Sequence, residues 1–90
     1  MSHKLKGKAD TRDVWLDGKL LDPTESQALR NHSPDGFNWG YGGSGPAQLA
    51  LAITLELTGK AEGYQHFKWN VIATLPQGED FEIEFNQPKL

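Results

Sequence analysis

The sequence predicts a small α+β domain, an antiparallel sheet packed on two helices of which the first is central and buried. Three observations predict it. Pro46 to Thr58 is an apolar stretch between a glycine-rich run and Gly59, with proline suited to a first helical position and glycine to the left-handed residue after the last. Phe81-Glu82-Ile83-Glu84-Phe85 alternates as a strand with one buried face does. Val14 to Leu16 and Lys19 to Leu21 flank Asp17-Gly18, a dipeptide that accepts the positive φ values of a type I′ hairpin turn.

Ninety residues fit one domain. The first four are expected to be disordered. Asp22-Pro23-Thr24 ends the hairpin, because proline offers no N–H and fixes φ. Glu25 to Arg30 is open between a helical turn and a short strand, and Asn31 to Gly36 is turn chemistry. Gly36 to Tyr41 alternates glycines with aromatics, which predicts an irregular strand joining the sheet. Gly42 to Gly45 then forms a tight loop. Ser44 or Gly45 caps the first helix, and with Gly45 as cap, Gln48 stands three residues on and supplies half of a capping box.

A second helix is predicted over 62–75, with Tyr64, Phe67, Val71, Ile72 and Leu75 on one face before Pro76 stops it. Pro76-Gln77-Gly78 turns the chain into the last strand, which joins the sheet edge and ends at Pro88.

Composition narrows function. A net charge of −3 gives no general attraction to phosphate backbones, so nucleic acid is not an expected partner. Lys4, Lys6, Lys8 and Arg12 oppose Glu79, Asp80, Glu82 and Glu84 in sign, as solvated termini or as complementary neighbouring strands. There is no cysteine, hence no disulfide or thiolate metal site. Ala47 to Leu57 is too short to span a bilayer, and no apolar run follows the N-terminal lysines; a cytoplasmic protein without membrane contact is expected.

The run Gly36-Phe37-Asn38-Trp39-Gly40-Tyr41-Gly42-Gly43-Ser44-Gly45-Pro46-Ala47-Gln48-Leu49-Ala50-Leu51-Ala52 resembles the signature of a small family of unknown function found in bacteria, phages and plasmids. Lys6 to Lys8, Val14 to Gly18, Asn31 to Pro34 and Phe67 to Leu75 resemble further family segments, so that the likeness runs from Lys4 to Leu75. It implies no activity. It does imply a helical tail, against the alternation of Phe81 to Phe85, and a place among accessory proteins of mobile elements.

The candidate sites follow. Gly42, Gly43, Ser44 and Gly45 lead into a helix N-terminus, where free N–H groups and the helix dipole favour an anion, although Pro46 removes one donor. Trp39 and Tyr41, with Phe37, share one side of an extended segment and would offer a stacking platform, with Gln48 orienting the ligand. His32, Asp35, Ser44 and His66 have the residue types of a hydrolytic triad but no nucleophile elbow, since Pro46 stands where its second glycine belongs. Asp35 and Glu62 are the nearest carboxylates in sequence to complete a metal site with His32 and His66, with no spacing to fix them. Lys68 falls on the apolar side of the second helix, which calls for a carboxylate partner or a stem that snorkels to water.

These features predict a non-enzymatic protein-interaction module with a protein partner and with no catalytic residue, metal or cofactor. The alternative is a binder of a small anionic ligand or nucleotide at the glycine-rich loop.

Overall fold

The computed structural model describes residues 2–86. Four antiparallel strands, β1 (Ser2–Gly7), β2 (Val14–Leu16), β3 (Lys19–Leu20) and β4 (Phe81–Asn86), form one sheet in the order β3-β2-β1-β4. Three helices, α1 (Thr24–Leu29), α2 (Ser44–Thr58) and α3 (Tyr64–Asn70), and a 3-10 turn at Ile72–Thr74 complete the α+β fold. Among the described residues the helices thus number three, two having been expected with Glu25 to Arg30 left open between helix and strand.

Alternation sets the two faces of the sheet. Leu5, Gly7, Val14, Leu16, Phe81 and Phe85 are buried, while Lys4, Lys6, Glu82 and Glu84 are exposed. Lys4 stands opposite Glu84, and Lys6 opposite Glu82. The opposed charges of the two chain ends are therefore complementary neighbours on adjacent strands.

Ser2 to Lys4, expected to be disordered, pair residue by residue with Asn86 to Glu84. The local sequence carries no signal of this, because the partner strand lies at the far end of the chain. Phe81 to Phe85 forms a strand at the sheet edge, as its alternation predicts and against the helical tail the resemblance implies. Pro88, expected to end it, lies outside the described residues. The Asp17-Gly18 turn has φ of 51° and 82°, the double positive value of a type I′ hairpin.

Helix α2 is the centre of the molecule. Every residue from Gly45 to Thr54 is buried, and Gly59 closes the helix in the left-handed region at φ 75°, donating its N–H to the Leu55 carbonyl at 2.8 Å. The buried Thr54 hydroxyl donates to the Ala50 carbonyl at 2.8 Å, so it costs no unpaired polar group. Leu49, Ala50 and Ile53 share one core with Leu5, Val14 and Leu16 of the sheet.

Three expectations are corrected. The helix begins at Ser44 with Gly43 as its cap, so Gln48 stands too far along to reach back to it. Gly36 to Tyr41 is not a strand. Gly40 sits at φ 84°, and its N–H donates to the Ile72 carbonyl at 3.0 Å, so the segment is pinned to the end of the α3 region rather than to a strand. The expected helix over 62–75 is likewise interrupted: Val71, at φ −123° and ψ −61°, leaves the helical basin, and the 3-10 turn that follows buries Ile72 while its carbonyl receives the Gly40 N–H.

Candidate functional site

Two regions compete as the site, at opposite ends of α2. At its N-terminus stands the glycine-rich loop. Trp39 is 1 % exposed; its ring meets that of Phe81 edge-on at 4.8 Å between centroids, and its indole N–H donates to the Glu79 carbonyl at 3.0 Å. This side chain is a core anchor with its polar handle satisfied. Tyr41 is half-buried, Gly42 and Ser44 are exposed, and Gly45 is buried.

The glycines have a steric account. A side chain at Gly42 would run into the Trp69 ring, one at Gly43 into the Tyr41 ring, and one at Gly45 would stand 2.5 Å from Asn38 Cβ. Their absent side chains are the space in which neighbouring groups sit.

Gln48 is fully buried and uses its whole amide within the protein. Its Oε1 accepts the N–H groups of His32 and Ser33 at 2.8 and 3.0 Å. Its Nε2 donates to Ser26 Oγ and to the Arg30 carbonyl at 2.9 and 3.1 Å. One side chain of α2 thereby ties down α1 and the Asn31–Pro34 turn, and all four of its hydrogen-bonding positions are met.

The other polar candidates are dispersed. His32 Nε2 is 2.8 Å from the Tyr64 hydroxyl, and His66 Nε2 is 2.6 Å from Asn70 Nδ2; among the described residues neither histidine bonds Ser44 or Asp35. No three His, Asp or Glu side chains among the described residues are grouped to hold a metal ion. Lys68 is 7 % exposed and meets no carboxylate among the described residues; of the two expectations, a carboxylate or a snorkelling stem, the first is not met, and its ammonium lies 4.3 Å from the centre of the Trp69 ring in a cation–π contact.

The second region is a groove between α1 and the latter half of α2. Leu20, Leu21, Ala28, Ala52 and Leu55 line a hollow of about 390 Å³ rimmed by Asp22, Glu25 and Glu56. Glu25, Ala28 and Leu55 also wall a second hollow of about 440 Å³ that reaches Leu29, Lys60 and Ala61. Leu20 and Leu29, one in each hollow, are 53 % and 54 % exposed.

The rim carries fixed charge. Asp22 Oδ1 accepts the hydroxyl and the N–H of Thr24 at 2.6 and 2.9 Å, and these two bonds hold its carboxyl below the usual range. Glu56 takes the Lys19 ammonium at 3.2 Å. Sequence reasoning missed this groove because Glu25 to Arg30 was open between helix and strand, so no face could be assigned to Ala28 or Leu29. The signal present was Asp22-Pro23 ahead of Thr24-Glu25, a pattern that starts helices.

Among the described residues no helix is long and apolar enough to cross a membrane. No curated protein and no solved structure gives a significant match to the chain. The profile of the family of unknown function DUF6166 matches residues 4–87, and the chain belongs to that family.

Proposed function

We propose that this protein is a non-enzymatic protein-interaction module whose contact surface is the groove between α1 and α2. One observation carries the reading: two leucines, each more than half exposed, stand in two adjoining hollows that share Ala28 and Leu55 and are bordered by charged side chains. Contiguous apolar surface with a polar border is how protein-binding sites differ from scattered exposed leucines. A role as a mobile-element accessory acting on a host protein belongs to the same proposal and rests on the resemblance of the run from Gly36 to Ala52 alone.

The test compares affinity capture by the wild-type chain with capture by a Leu20→Asp/Leu29→Asp double variant. A partner recovered by the wild type and lost by the variant supports the reading. Equal recovery by both, or no partner above background with either, removes it.

The alternative reading, an anion or nucleotide at Gly42, Gly43, Ser44 and Gly45, has in its favour an exposed Ser44 in the first turn of α2 and the exposed ring of Trp69 at Gly42. Against it, Trp39 and Gln48 are enclosed and already bonded. Millimolar nucleotides or phosphate that raise the unfolding temperature in the wild type, and fail to do so in Ser44→Pro, would favour this alternative.

A further inference from the structure

We infer that the segment received by the α1–α2 groove is an amphipathic helix of two to three turns, basic along the flank that faces α1. The inference rests on the groove being the contact surface and adds the shape and charge of what fills it.

Shape comes first. From Ala52 to Gly59 the floor follows α2 for about 10 Å, two helical turns. Along that length the walls offer small residues, Ala28, Ala52 and Ala61, between the larger Leu20, Leu29 and Leu55. Small residues let a third helix come close, and the leucines offer apolar contacts to one face of it. An extended segment fits less well. The neighbouring edge strand β3 has two residues, and the next N–H, that of Leu21, already donates to the Val14 carbonyl at 2.8 Å. Too little free edge remains to fix the register of an added strand.

Charge comes second. Glu56 on the α2 wall is matched by Lys19. On the α1 wall Asp22 and Glu25 have no cationic partner among the described residues, and the Thr24 bonds favour the charged form of Asp22. The unmatched negative charge therefore lies along one wall, with Lys60, in no ion pair among the described residues, at the far end. A helix complementary to this pattern carries lysine or arginine toward α1 and an acidic residue toward Lys60.

The test uses the full chain, isotope-labelled for amide NMR, and two synthetic fifteen-residue helices with one shared leucine–alanine face, flanked by lysines in one and by glutamates in the other. The expected result is that the lysine peptide shifts the amides of Leu20, Ala28, Leu29 and Leu55. Its affinity should fall about three- to tenfold with Asp22→Asn/Glu25→Gln and at high salt, with Glu25→Gln alone giving part of the loss. The glutamate peptide should bind more weakly by a similar factor.

Equal binding of both peptides in the groove would overturn the charge assignment and leave the groove as a contact surface. If neither peptide shifts those amides while the leucine double variant still loses a captured partner, the helix is wrong and the proposed function stands. If neither binds and capture is also unchanged, both fall.

Discussion

Helix α2 meets the glycine-rich loop at its first turn and the α1–α2 groove along its second half, and small residues have opposite consequences at the two ends. At Gly42 and Gly43 the missing side chains are replaced by the ring of Trp69, from α3, and by that of Tyr41, from the loop itself. At Ala28 and Ala52 the space above the small side chains stays open, and Leu20 and Leu29 beside it remain wet. A small residue is therefore not by itself a sign of a site. What matters is whether other groups fill the space, and for the loop they do, from a distant segment at Gly40 and Gly42 and from neighbouring Tyr41 at Gly43.

The largest expected effect tests the filled end. Gly40 combines φ 84° with backbone 2.5 Å from where its Cβ would stand, at the N and Cα of Gln77. Gly40→Ala must bear left-handed strain and push against main chain that cannot rotate away. A loss of about 2–4 kcal/mol is expected in urea denaturation. A loss below 1 kcal/mol would show that the turn at Gln77 yields easily and that the loop is less tightly closed than the contacts imply.

Next comes the latch beneath the loop. Gln48→Leu keeps a side chain of similar size but strands the Ser33 N–H and takes one of two partners from the His32 N–H, the Arg30 carbonyl and Ser26 Oγ, since the His32 N–H also donates to the Arg30 carbonyl at 3.1 Å and Ser26 Oγ to the Pro23 carbonyl at 2.8 Å. Part of this cost is relieved by water reaching the half-buried turn. The expected loss is about 2–3 kcal/mol, with hydrogen exchange at the His32 and Ser33 amides speeding up before the α2 amides do. Unchanged protection at those two amides would remove Gln48 from its place as the tie between α1, α2 and the turn.

The same contrast explains what was legible in the sequence. The hairpin, α2 and β4 were legible because each is written in local chemistry: Asp17-Gly18 in positive φ, Pro46 in the first helical turn and Gly59 just past the last, and a strict alternation from Phe81 to Phe85. Gly36 to Tyr41 was not, since aromatics at every second position describe a strand and an anchored loop equally well. The decision rests on the Gly40 N–H finding the Ile72 carbonyl and on the Trp39 indole finding Glu79, contacts more than thirty residues away in sequence. The break at Val71 belongs to the same contact. Gln48 looked like a capping residue or a ligand contact because its type and place allow both; its actual partners come from a turn and a short helix whose positions no local pattern gives. The groove was hidden for a related reason, as it exists only once α1 lies alongside α2.

The smallest effect is expected at the open end, and it separates contact from fold. Leu20→Asp and Leu29→Asp replace side chains that are already more than half exposed, so each should change stability by less than about 0.5 kcal/mol. The Lys19–Glu56 pair beside Leu20 is itself exposed and should contribute little either way. Leu20→Asp would nonetheless add a third carboxylate beside Asp22 and Glu25, and salt should restore any small loss by screening it. If either substitution instead costs more than 1.5 kcal/mol at high salt, the leucine is holding the domain together. The openness of the groove would then be a feature of the fold's own packing, and the contrast between the two ends of α2 would no longer distinguish a surface kept free for a partner from one closed by the chain itself.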